Sequence, residues 1–485
     1  MAGPLLLVFG PLVPAFFIFA GLRRWPRAAA VCGFLSALLL RFLIAAIDMQ
    51  TVAADAPSQG ISLLSGDELI FFGRSLLLTE GLRQLLLTVY SASAILFLLS
   101  GAWPQGPDFV PAGLASLSPL AFALMVNPLS FGALGLLLAA ALLAALVQGQ
   151  RPGSTLASLR YLLLAALSVP VFLVAGWMLD SDQLVFGGAI WRLLLLGATL
   201  LLAGFPFHIW VRPLLNESRP LTAVFVLGPV QMVILTFVWR WLQQNPNLLS
   251  STQLGTFLGW SGAATALVAA LLAISAHDAR RLLGCLVLAD MAATLISLGQ
   301  GIAGIEQAWG LLLLRFVSLS LAAVGLEWAT VDRAAGAREP RGASRSARTS
   351  VSGALTSLDD RDLESMAHNP LAAALFGYGA LSLIGLPLTP GFAARWAAVG
   401  VAGAGSIWWA LLLLLALVSG VAGLLRIAMP VVERFKIEPQ PGTISPLADR
   451  RLSSALLAGA VLLGLFISLY PWPLLNLVSR LNELF

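Results

Sequence analysis

A run of about twenty apolar residues can cross the ~30 Å hydrocarbon layer of a bilayer as one helix. This sequence repeats such runs almost from end to end. They fall near 2–22, 28–47, 82–100, 111–127, 129–148, 157–178, 190–207, 221–242, 254–275, 280–300, 305–329, 369–402, 406–430 and 452–475, and the twelfth of these fourteen is long enough to contain a break. In lipid each backbone N–H and C=O needs a partner within its own helix or a closed barrel, so runs of this length dictate helices. Composition leaves no soluble alternative. Of 485 residues, 59% are hydrophobic and 11% charged, against roughly 45–50% and about 25% in soluble domains. The expected fold is all-α and polytopic. The first run is not expected to be a cleaved leader, because no basic residue precedes it and arginines follow it.

The loops carry the topology signal. Alternate connections hold Arg23, Arg24, Arg27, Arg151, Arg212, Arg219, Arg280, Arg281, Arg434, Lys436, Arg450 and Arg451, whereas the intervening ones hold Asp48, Asp55, Asp67, Glu68, Asp180, Asp182 and Glu306. The positive-inside rule puts the basic loops in the cytoplasm and both termini outside. Four regions are expected: N-terminal helices with an external loop at 1–109, a core at 110–330, a disordered cytoplasmic linker at 331–366, and C-terminal helices at 367–485. The linker is rich in Ala, Gly, Ser and Arg and cannot bury enough apolar surface to offset its ordering entropy. In the polar stretch 49–81, ELIFF suggests a short hairpin or a surface helix.

Several chemistries are unsupported. Cys32 and Cys285 both lie in apolar runs, which offers no disulfide framework or thiolate metal site. His208, His277 and His368 are scattered, which argues against haem or zinc, and no glycine-rich phosphate loop is present. No cofactor is expected. The pI of about 9.8 reflects basic loops between apolar runs rather than a nucleic-acid surface.

Three features could carry function. GLPLTPGF places Gly385, Pro387, Pro390 and Gly391 inside an apolar run, and proline removes a ladder hydrogen bond there. A broken helix lines ion or substrate sites in many transporters, or it simply kinks between two short spans; Arg395, just beyond, favours the first reading because an intramembrane charge normally faces a polar cavity. His208, in a span-end FPFHIW, carries an imidazole suited to proton transfer, or belongs with Trp210 to an interfacial belt. Finally, Arg192, Arg240, Glu327 and Arg426 lie near helix ends and can snorkel, whereas Asp290 and Arg315 sit mid-span. Those two are expected to pair, structurally or as part of a proton relay.

At these residues the chain resembles the antiporter-like membrane subunits of complex I and of Mrp-type cation/proton antiporters, the subunit N type of NADH:quinone oxidoreductase most of all. The resemblance covers about 110–475. It rests on LRYLLLAAL (159–167), PFHIW followed by RPLTAV (206–224), AHDARRLLGCLVLADM (276–291), SLDDRDLESMAHNPLAAAL (357–375) and GLPLTPGFAARW (385–396), five strings in the family's order. It implies a fourteen-helix bundle with two inverted five-helix repeats, a buried line of charges along the middle, and homologous membrane subunits as partners within a multi-subunit complex in the cell (inner) membrane.

The sequence departs from the family at the charges themselves. The family's fifth-helix glutamate falls at Leu137, and its two lysines fall at Leu201 and Val230; its last lysine becomes Arg395. Arginine stays protonated at physiological pH and does not readily pass a proton. Two roles follow as expectations. The chain translocates protons or cations along a depleted path of His208, Asp290, Arg315 and Arg395, or it is a non-conducting structural subunit. A subunit of an Mrp-type antiporter is a further alternative.

Overall fold

The computed structural model describes residues 3–47, 69–71, 73–148, 155–180, 187–244, 252–336, 366, 369–437 and scattered positions between 458 and 476. Among the described residues, ten helices are long and apolar enough to cross a membrane, and three shorter apolar helices accompany them. Together they account for thirteen of the fourteen expected runs. The fourteenth, 452–475, lies mostly outside the described residues.

In chain order the helices are α1 (Gly3–Leu22), α2 (Pro26–Ala45), α3 (Glu80–Ala102), α4 (Phe109–Met125), α5 (Leu129–Gln148), α6 (Leu156–Asp180), α7 (Gly187–Leu201), α8 (Val211–Glu217), α9 (Pro220–Gln243), α10 (Thr252–Ile274), α11 (Ala279–Gly299), α12 (Ile302–Gly336), α13 (Pro370–Ile384), α14 (Phe392–Gly405) and α15 (Ile407–Ile437). From α4 to α9 the order is helix, helix, helix, broken helix, helix, with α7 and α8 as the broken member. From α10 to α15 that order repeats, with α13 and α14 broken.

The packing is concentric. The most apolar window of α9 is 100% buried and that of α11 is 94% buried, whereas those of α1 and α2 are 28% and 33% buried. Helices apolar on all sides belong at the centre of a bundle. The outer helices expose Phe16, Phe17, Leu39 and Phe42 instead, a surface suited to acyl chains. The protein is a multi-pass membrane protein.

ELIFF forms the hairpin arm β1 (Leu69–Phe71), antiparallel to β2 (Arg74–Leu76). A third strand that the sequence did not suggest, β3 (Val126–Asn127), pairs with β2. It ties the insert to the end of α4. At the other end of the core, α12 runs through to Gly336. VDRAAG continues its helix, so the linker expected from 331 starts no earlier than 337; apart from Met366, its remainder lies outside the described residues.

Candidate functional site: a buried charge cluster beside an apolar half

The second break builds the site. Asn369 caps α13 by accepting from the backbone N–H of Ala372, with Pro370 in the first turn where its missing N–H is harmless. The helix ends at Gly385, whose φ of +82° is left-handed. The backbone groups freed between Gly385 and Gly391 find side chains. The Trp396 indole N–H donates to the Gly385 carbonyl at 3.2 Å, and Ser382 Oγ accepts from the Gly391 N–H at 3.0 Å. Ser382 also shares a 2.7 Å hydrogen bond with Ser318 of α12. Both glycines and the two prolines thus belong to a helix break whose polar backbone is met by protein, the condition for irregular backbone at membrane depth.

Gly385 also positions a charge. A Cβ on it would lie 2.6 Å from Cβ and Cγ of Arg395, so the arginine stem runs against the bare backbone there. The guanidinium then reaches Asp290 Oδ1 on α11 at 2.5 Å. Arg315 of α12 binds the other oxygen, Oδ2. Its Nη2 donates to Thr294 Oγ1 at 2.9 Å, and that hydroxyl donates to the Asp290 carbonyl at 2.9 Å. All three charged residues are at most 4% exposed. The expected Asp290–Arg315 pair is present, and Arg395 joins it. One carboxylate therefore binds two guanidiniums and pins α11, α12 and α14 together. The formal charge of the three residues is +1. The C-terminal end of α13, whose last carbonyls carry the negative pole of the helix dipole, abuts the Arg395 stem and partly offsets the surplus.

Sequence spacing alone did not identify Ser382, Thr294 or Ser318 as partners. Short hydroxyl residues inside apolar spans were the available signal, since each must hydrogen-bond when buried.

The first half is built differently. Its break, 202–206, interrupts a span that the sequence reading had merely ended at 207. Its freed backbone is met from α10: the Phe205 N–H donates to Thr265 Oγ1 at 2.9 Å, and Ser261 Oγ donates to the Phe205 carbonyl at 3.3 Å. Leu201 and Val230 face a small cavity together with Leu120, Leu136, Ala139 and Tyr161. Leu137 stands beside that wall, half-buried against the core. The cavity offers about 10 Å³ to the centre of a water molecule, room for about one, and its lining is mostly aliphatic, with Tyr161 and Trp210 the side chains that carry a polar group.

His208 lies in the turn Phe207–Trp210, stacked on Phe205 at 5.9 Å. Its Nδ1 is buried without a hydrogen-bond partner in the structure. No hydrogen bond or ion pair among the described residues links it to Asp290, Arg315 or Arg395. Of the four side chains expected to snorkel, Arg192 and Arg426 are exposed, and three have a hydrogen-bond partner. Arg240 donates to the Leu124 carbonyl, Glu327 accepts from Gln105 Nε2 at 3.0 Å, and Arg426 donates to the Ile274 carbonyl at 2.9 Å.

Comparison with known proteins agrees with this architecture. Residues 123–420, more than half of the chain, match the model of a family described as NADH:quinone oxidoreductase/Mrp antiporter, transmembrane. NADH-quinone oxidoreductase subunit N of Chromohalobacter salexigens is 26% identical over 306 residues, covering 60% of this chain and 58% of that protein. The chain thus spans less than two thirds of the length of the curated relatives it matches. A chain of the membrane-bound sulfane sulfur reductase, an archaeal respiratory membrane complex, superposes with a TM-score of 0.73 at 16% identity, covering 99% and 97% of the two chains. A chain of the Mrp complex from Dietzia sp. DQ12-45-1b gives 0.69 at 16% identity, covering 99% and 96%. Both neighbours are chains of multi-subunit membrane complexes, and at these identities the likeness shows a shared fold.

Proposed function

Because this chain belongs to the NADH:quinone oxidoreductase/Mrp antiporter transmembrane family, we propose that it is an antiporter-like subunit of a complex-I-related assembly whose first repeat is closed to ions. The observation that carries this reading is the apolar wall at Leu201 and Val230. Ion passage needs water and a series of titratable groups, and this cavity has room for about one water and a mostly aliphatic lining in which Tyr161 and Trp210 carry the polar groups. The charge cluster in the second repeat then acts as a structural lock. Two of its three members are arginines, which hold charge without passing protons. The chain sits in the cell membrane beside homologous subunits, with its arginine-rich loops in the cytoplasm and both termini outside. Any redox chemistry belongs to other subunits, and this chain contributes the membrane-embedded part.

The second reading is ion translocation through the second repeat alone. It is favoured by the hydroxyls of Thr294, Ser318 and Ser382 around the cluster, because polar groups of this kind retain water.

One experiment separates the two. Leucine at all three positions (Asp290→Leu, Arg315→Leu, Arg395→Leu) keeps the site filled and removes its charges together, a replacement that is often neutral for stability. In the reconstituted assembly, unchanged ion movement per electron is expected. Full assembly with ion movement lost would establish the second reading instead.

A further inference from the structure

The α1–α2 hairpin carries a surface that the core does not use. Three arginines, Arg23, Arg24 and Arg27, stand within five residues at its turn, with Trp25 between them 69% exposed. Arg23 is already engaged. Its Nε lies 2.9 Å from Asp108 Oδ1 and its Nη2 3.2 Å from Oδ2, and its guanidinium also covers the Phe19 ring at 5.0 Å. That pair anchors the turn to the start of α4 and consumes the nearby carboxylate. Arg24 and Arg27 are exposed, and among the described residues no acidic group pairs with either.

Below the turn runs a matching apolar face. Arg27 opens a series on α2 that continues through Val31, Leu35, Leu39 and Phe42, each more than half exposed. The spacing of four, four, four and three residues keeps them on one side of the helix. At about 1.5 Å per residue this face is roughly 20 Å long, near the reach of one leaflet's acyl chains. The surface is thus cationic at one end, aromatic just beside it and apolar along the rest.

We propose that this face binds an anionic phospholipid, its headgroup phosphate between Arg24 and Arg27 and its acyl chains along Val31, Leu35, Leu39 and Phe42. Two features favour lipid over a neighbouring protein subunit. The guanidiniums stand at the end of two apolar spans, where headgroups lie, and no acidic group among the described residues pairs with Arg24 or Arg27. The α1 and α2 spans are also the least buried of the ten. Trp25 is the residue type that settles at the same depth. Neither the closure of the first repeat nor the role of the charge cluster enters this inference.

The test is lipid retention by the full chain, in its assembly, taken into nanodiscs of phosphatidylethanolamine and phosphatidylglycerol at three to one. Bound lipid is then counted by native mass spectrometry. Phosphatidylglycerol is expected to be enriched on the protein, with the enrichment lost in Arg24→Gln/Arg27→Gln and kept in Arg24→Lys/Arg27→Lys. Each arginine near an anionic surface is worth about fivefold, so the double glutamine variant should weaken binding on the order of thirtyfold. Equal retention of the two lipids by the unsubstituted chain would overturn the proposal, as would enrichment that the glutamine variant leaves intact. A glutamine variant that keeps its lipid but loses a co-purifying subunit would assign the face to protein contact instead.

Discussion

Arg395 on α14 and Asp290 on α11 form an ion pair at 2.5 Å, and Arg315 binds the second oxygen of the same carboxylate. The sequence separates Asp290 from these two partners by 25 and 105 positions, and the bundle places all three within one buried contact. A carboxylate in this setting is the common counter-charge of two helices, so losing it differs physically from losing either arginine.

Asp290→Asn should be the most damaging single change in the cluster. It leaves two buried guanidiniums without an anion, a loss on the order of 3–5 kcal/mol. Thermal unfolding in detergent, or the amount of assembled complex in membranes, measures it. A variant as stable as the parent would mean that the site holds another anion.

Arg395→Ala should lower stability or assembly more than it lowers ion movement. The cluster retains Arg315 opposite Asp290, so the charge balances, and the main losses are the α14 contact and the packing of the stem against Gly385. Arg395→Lys should recover part of the stability, because the charge returns without the planar fork. Normal assembly with ion movement abolished would show that Arg395 serves transport.

Gly385→Ala tests the helix break separately. Its φ of +82° disfavours any Cβ, and that Cβ would also meet Arg395. A cost of about 1–3 kcal/mol from strain alone is expected, with more from displacing the arginine. Combining it with Arg395→Ala should cost less than the sum of the two, since the contact with Arg395 Cγ is then removed while that with its Cβ remains. Strict additivity in a double-mutant cycle would rule out their contact.

In the first half, Leu201→Lys should fail to restore a path. The cavity offers no acidic partner and room for about one water, so a buried ammonium there costs several kcal/mol. Leu201→Met should cost less than about 1.5 kcal/mol. Melting temperatures of the two variants decide the matter. A lysine variant as stable as the parent and with raised ion flux would mean that the wall is wet.

The basic loops predict that a reporter fused at residue 345 reads as cytoplasmic. An external signal there would reverse the proposed orientation and place the termini inside.

Much of this architecture was legible residue by residue. GLPLTPGF announced its break because proline cannot complete a helical ladder, and Asp290 with Arg315 announced a pair because neither can reach water from mid-span. The first break was missed as a break. Its Pro206 comes after a run that already reads as a finished span, and the hydroxyls that satisfy it, Thr265 and Ser261, come from a helix more than fifty residues away. His208 is open by residue type between proton transfer and an interfacial belt; it stacks on Phe205, and no hydrogen bond among the described residues joins it to the cluster.

The sequence by itself determined the class of fold and the site of the second interruption, because both depend on local quantities: apolar run length against bilayer thickness, and the missing N–H of proline. It also determined which charges are scarce enough to need partners. Only the tertiary structure decided that Asp290 serves two arginines rather than one, that Arg395 reaches it across a bare Gly385, and that Leu201 and Val230 share a wall. Those relations depend on the rotation and depth at which separate helices meet. Packing fixes both through side chains distant in the chain, and no local pattern carries that information.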